Sequence, residues 1–224
     1  FGMAFFSTVS FEEDIELLEK LGCDSIKIAS ADVNHVPLLR RAANTGMCIQ
    51  LDTGMATLGE IENAVDVIYE EGNQNVVIHQ CPSGYPARLE SINLNVIPTL
   101  KRMFSCPVAY SDHSPGMEMD IAALAIGANL IEKTITEDRM TRSIEHQMSI
   151  ESKEMKKFVQ TIRDVEVALG SNRRLLEKSQ KEHRKKIRRS IFLSQTGRAG
   201  QALKDCAIEY RRPGLGVPPN RFDE

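Results

Sequence analysis

The sequence predicts an α/β fold in which strand–helix units repeat around a parallel sheet, the (β/α)8 or TIM barrel. Three observations lead there. Short apolar runs recur at intervals of roughly 20 to 30 residues, enough for a strand, a turn and a helix. The runs end on hydroxyl, amide or charged side chains, which is how a parallel barrel presents ligands at its carboxyl rim. Segments between them carry apolar residues at helical spacing.

Taken in order, a run over residues 3–6 ends on Ser7 and Thr8. Phe11, Ile15, Leu18 and Leu21 then form an apolar helical stripe. The next run, 25–30, contains Lys27 and ends on Ser30; the run 47–51 ends on Asp52 and Thr53. A helix follows with Leu58, Ile61, Val65 and Ile68 on one face, opened by a Thr57/Glu60 capping box and closed at Gly72. The run 76–78 stops on His79-Gln80, the run 107–110 on Ser111-Asp112-His113, and the run 129–131 on Glu132-Lys133-Thr134. From Ser152 a longer helix is expected to bury Met155, Phe158, Val159, Ile162, Val165 and Leu169 and to stop at Gly170.

About six such units are too few for an eight-stranded barrel, and a six-stranded remnant leaves two long open edges. The expectation is therefore a barrel whose first two βα units precede Phe1, with an open doubly wound sheet as the alternative. Residues 1–175 are assigned to this partial barrel, 176–189 to a basic linker, and 190–224 to the start of a small C-terminal domain with too few strands to be complete. The basic side chains Lys181, Arg184, Lys185, Lys186, Arg188 and Arg189 read as a solvated helix rather than an anion or nucleic-acid patch.

Composition narrows the function classes. With 42% hydrophobic and 26% charged residues in 224, the chain has an ordinary globular balance and can bury a substantial core. A net charge of −3 argues against a nucleic-acid partner, and no apolar stretch is long enough to span a bilayer. Five cysteines without a C-x-x-C pair suggest reduced thiols in the cytoplasm.

Six motifs in one order, Phe6-Ser7-Thr8, the eight residues from Lys27 to Asn34, Thr53-Gly54-Met55, the six from Cys81 to Pro86, Tyr110-Ser111-Asp112-His113 and Arg211-Arg212-Pro213-Gly214, resemble those of the sialic acid synthases. That resemblance implies a TIM barrel followed by a small antifreeze-like (SAF) C-terminal domain. It also implies condensation of phosphoenolpyruvate with an N-acetylated aminosugar into a nine-carbon 2-keto sugar acid. Phosphoenolpyruvate carries a phosphate and a carboxylate, so its pocket needs fixed cations and hydroxyl or backbone donors. By resemblance, Lys27 supplies the cation and Thr8, Ser30, Asp52, Ser83 and Ser111 complete the phosphoenolpyruvate positions; Asp32, Tyr85, Glu145 and Arg212 face the sugar. Lys27 and His113 are the catalytic candidates. Arg212 is expected to act on a neighbouring subunit, in a domain-swapped homodimer.

Two positions depart from the pattern. The family holds a divalent Mn or Mg ion with two histidines; His113 matches the first, Thr134 stands at the second, and His146 is the candidate replacement. Asp52 stands where the family has serine, and a carboxylate about 4 Å from a phosphate charge costs about 4 kcal/mol at an effective dielectric near 20. These departures keep two alternatives in view: another keto-acid synthase or aldolase, with Lys27 or Lys133 forming a Schiff base, and a non-catalytic sugar-phosphate binder.

Overall fold

The structure, a computed structural model, describes residues 2–223. Phe1 and Glu224, the outer bounds of the first and last expected modules, lie outside them. The chain forms two compact units that divide between Gly170 and Ser171.

In the first unit six parallel strands make one sheet: β1 (Phe6–Val9), β2 (Ser25–Ile28), β3 (Cys48–Asp52), β4 (Val76–Gln80), β5 (Val108–Asp112) and β6 (Leu130–Lys133). Their spatial order is their chain order throughout. A doubly wound sheet reverses its order at a switch point, so that alternative is excluded, whereas sequential order is that of a barrel wall. Helices α1 (Glu12–Leu21), α2 (Val36–Ala43), α3 (Leu58–Glu70), α4 (Leu89–Ile92), α5 (Val96–Met103) and α6 (Glu118–Ala125) connect the strands. A short parallel pair, β7 (Ile135–Thr136) and β8 (Ile150–Glu151), precedes α7 (Ser152–Leu169).

Register sorts the side chains. Thr8 pairs with Lys27, Lys27 with Gln50, Asp52 with His79 and Ser111 with Glu132. Paired residues in parallel strands share a face, and alternation has a period of two. One face therefore carries Thr8, Lys27, Gln50, Asp52, His79, Ser111 and Glu132. The other carries Val9, Ile26, Ile28, Ile49, Leu51, Ile78, Val108 and Tyr110, all fully buried in a cluster with Ile15, Leu39, Ile68, Ile97 and Leu100 from the helices.

The strands extend into the polar residues expected to end them. β1 also begins at Phe6 rather than at residue 3, and takes in Ser7 and Thr8. Ladder bonds are made by the backbone, so a polar side chain continues a strand when it finds partners on its own face. The capping box at α3 is present, with Thr57 Oγ1 accepting from the Glu60 amide. In α1, Ile15 and Leu18 are buried but Phe11 and Leu21 are exposed, because Phe11 is the N-cap residue and Asp14 accepts from the Ser10 and Phe11 amides. Of the expected α7 stripe only Phe158 is buried; Val159 and Leu169 are exposed. A helix resting on α6 is covered along one flank only.

The second unit contains α8 (Lys178–Ile187) and an antiparallel hairpin, β9 (Ser190–Leu193) with β10 (Ile208–Arg211). The basic segment lies on α8 of this unit. Ser190 is fully buried, donating to the Pro213 carbonyl at 3.0 Å and accepting from the Gly216 amide at 2.9 Å. Gly214 lies so close to Arg188 that a Cβ there would meet Arg188 Cβ at 2.8 Å.

Candidate active site on the inner face of the sheet

Lys27 projects from the middle of β2, on the face turned away from the helices, and is only 7% exposed. Its ammonium lies 3.0 Å from Asp52 Oδ2 and forms a second ion pair with Glu132 Oε1. Burial alone would push its pKa down, but the two carboxylates outweigh that and hold it above the ordinary lysine range. Ser111, fully buried in β5, donates to Glu132 Oε1 at 2.9 Å. One ammonium thus serves two carboxylates. Burial opposes ionisation of Glu132, yet Lys27 holds it below the usual range; Asp52 is pushed up to about 6 by burial, Lys27 opposing and Glu132 adding to the rise.

Beneath this group runs a hydrogen-bonded relay. Ser25 Oγ donates to the Cys48 carbonyl and accepts from Gln50 Nε2 at 2.7 Å, and Gln50 Oε1 lies 3.1 Å from His79 Nε2. Nε2 is therefore the donor, and His79 Nδ1 is left bare. It faces Asp52 Oδ1 at 3.5 Å and Glu132 Oε2 at 3.7 Å, and all three atoms are buried without a hydrogen-bond partner. Burial, and secondarily Lys27, hold the His79 pKa near 4 although Glu132 opposes them. A strand-end histidine in a sequence reads as satisfied; this one is satisfied on one side only.

The turn after β4 and the end of β5 build the adjoining wall. His113 Nδ1 donates to the Pro82 carbonyl at 3.0 Å, which leaves Nε2 unprotonated, 4.0 Å from Cys81 Sγ. The Tyr85 ring stacks on the imidazole at 4.4 Å between centroids. Tyr85 precedes a cis bond to Pro86, and Ser83 is exposed in the same turn. Burial and then Cys81 and Glu145 raise the Tyr85 phenol; Glu145 itself is exposed just before the 3-10 turn His146–Met148. The Cys81 thiol is pushed up to about 12, chiefly by burial, so it stays neutral.

The remaining expected residues divide. Thr8 is exposed on β1 in register with Lys27. Ser30 opens a short 3-10 turn that ends at Asp32, and its Oγ would sit 2.9 Å from a Cβ at position 54, so a side chain there would press on Ser30. Arg212 is exposed in the second unit. Lys133, in contrast with Lys27, faces the helices, where it is paired with Asp112 and lies 3.4 Å from Asp120. Asp112 Oδ1 also accepts from Tyr110, and from the Ser114 amide and hydroxyl. The Asp of the Ser-Asp-His motif thus organises the turn behind the site.

A divalent ion needs several oxygen or nitrogen ligands at once. His113 offers Nε2, and His146, whose Nδ1 is engaged with Thr136 Oγ1 at 2.6 Å, likewise keeps only Nε2. Among the described residues no three His, Cys, Asp or Glu side chains are grouped to hold a metal ion. These side chains do not fit the two-histidine metal pattern.

Gln50 and His79 were not expected at the site, and Glu132 was not expected as the partner of Lys27. Part of their signal was available, since each is polar and lies inside or at the end of an apolar run; that they share a face with Lys27 and Ser111 is set by strand pairing.

Residues 1–174 match the NeuB family. The chain is similar to an N,N'-diacetyllegionaminic acid synthase of Campylobacter jejuni, 34% identical over 224 residues that cover 99% of this chain and 67% of that protein. It is similar to a pseudaminic acid synthase of the same species, 31% identical over 223 residues, 100% of this chain and 65% of the other. The crystal structure of an N-acetylneuraminic acid (sialic acid) synthetase from Leptospira borgpetersenii superposes with a TM-score of 0.75 at 34% identity, covering 81% of this chain and 63% of that one. The chain spans about two thirds of the length of these relatives.

Proposed function

The chain belongs to the NeuB family, and on that premise we propose that it condenses phosphoenolpyruvate with an N-acetylated aminosugar. The product is a sialic-acid-like nonulosonic acid for surface polysaccharide, with phosphate released. The observation that carries this reading is the buried, protonated Lys27 on the inner face, beside Ser111. It is a fixed cation held by Asp52 and Glu132, with the Ser111 hydroxyl on the same Glu132 oxygen, and a ligand with two anionic groups requires such a cation.

Lys27 takes an anionic group of phosphoenolpyruvate, with Thr8, Ser30, Ser83 and Ser111 as hydroxyl donors and Asp52 at its flank. His113, oriented by the Pro82 carbonyl and by Tyr85, presents an unprotonated Nε2 towards the sugar. Tyr85, Glu145 and Asp32 line the sugar side. The second unit is assigned to an antifreeze-like domain whose Arg212 serves a second copy in a homodimer, and the chain to the cytoplasm; no helix among the described residues is long and apolar enough to cross a membrane. The resemblance implies Mn or Mg, but no step is assigned to an ion these side chains do not fit.

A Schiff-base aldolase is disfavoured. It requires a neutral, accessible amine, whereas Lys27 is held protonated and Lys133 is paired on the helix face. The test is phosphate release from phosphoenolpyruvate with and without a panel of N-acetylated aminosugars. Release that depends on the sugar is expected; release indifferent to every sugar, or borohydride trapping of a keto acid on Lys27, would overturn the reading.

A further inference from the structure

Asp52 Oδ1, His79 Nδ1 and Glu132 Oε2 converge with no donor among them, and His79 is 1% exposed. Buried acceptors aimed at one another repel unless a proton lies between them. The groups facing them are committed: Lys27 to Asp52 Oδ2 and Glu132 Oε1, Ser111 to Glu132 Oε1, and Gln50 to His79 Nε2. Cys81 and His113, on the adjoining wall, are neutral groups shifted chiefly by burial. With Lys27 charged and both carboxylates ionised, the cluster carries net negative charge, which opposes an incoming phosphate or carboxylate.

We propose that Asp52 and His79 form a proton-holding couple, and that phosphoenolpyruvate binding at Lys27 is accompanied by uptake of a proton between Asp52 Oδ1 and His79 Nδ1. This rests on the function proposed above, and makes Asp52 the residue that sets the pH dependence of substrate binding. Bound anion raises the affinity of the couple for a proton, and by linkage the proton raises the affinity for the anion. In the free chain Asp52, at about 6, is more basic than His79, near 4, so the proton taken up resides on the carboxylate. The serine that the resemblance places at position 52 has no such proton to hold.

The test is calorimetric titration of the whole chain with phosphoenolpyruvate at pH 7.5, in two buffers of different ionisation enthalpy. Proton uptake approaching one per site is expected for the wild type. It should fall towards zero in both Asp52→Asn and Asp52→Ser, while uptake by the ligand's own phosphate is common to all three. Binding with the same uptake in wild type and variants overturns the proposal; failure of phosphoenolpyruvate to bind the wild type overturns the function on which it rests, and the proposal with it. A second arm needs no ligand. The 15N shifts of His79, assigned with His79→Gln, should show a bare Nδ1 and a protonated Nε2, and the opposite tautomer would exclude the couple.

Discussion

At the residue scale the inner face is governed by one cation shared between two carboxylates, and pH reads the balance. Folding raises Asp52 from 3.8 to about 6, so its contribution is fully present below 3.8 and is lost as pH rises through 6. That loss amounts to about 3 kcal/mol. Folding lowers His79 from 6.5 to about 4, so its contribution is present above 6.5 and is lost as pH falls through 4. The two slopes oppose each other between about pH 4 and about pH 6. Asp52→Asn removes the first, and its stability relative to wild type should rise by up to about 3 kcal/mol between pH 4 and pH 7, measured by urea denaturation. A difference independent of pH would show that Asp52 ionises freely in the fold. Lys27 and Asp52 were legible in the sequence because a charge inside or closing an apolar run asks for an explanation. His79 was not, since its meaning depends on Gln50 and Glu132, brought beside it by strand pairing rather than by sequence distance.

At the element scale the alternation of strands and helices was legible, and the boundaries less so. Polar side chains at the strand ends look like breaks, yet they continue the ladder because they pair with one another across the inner face. The helices α2, α5 and α6 are not legible in the sequence because each is only eight residues long, too short for a repeated stripe, and two of them contain a proline. The capping box at Thr57 stood out because it is a local pattern with a local cause. Thr57→Ala should therefore lower stability by about 1 kcal/mol, with the Glu60 amide losing its acceptor. Ile78, fully buried at the centre of the sheet, should lose about 2–5 kcal/mol on replacement by Ala. Equal effects at the two positions, measured in the same denaturation series, would contradict the placement of the core between sheet and helices.

At the scale of the whole molecule, residues 171–177 carry no regular secondary structure and are almost all exposed, so the passage between the two units is open to a protease. Limited trypsin treatment should cut first after Arg173 or Arg174 and leave the six-stranded unit intact, as read by mass spectrometry; a first cut inside that unit would contradict the division. The β-like run 190–194 was legible as a strand, but its partner β10 was not, because it lies within a Gly/Pro-rich stretch that reads as a tail. The central claim is that a protonated lysine on the inner face drives a phosphoenolpyruvate condensation. Its most direct test is aminosugar-dependent phosphate release by the wild type and by Lys27→Met, with folding of each checked by circular dichroism. A folded Lys27→Met chain should lose at least about 100-fold in turnover, the scale expected when a fixed charge facing the reacting group is removed; turnover undiminished in that folded variant would contradict the claim.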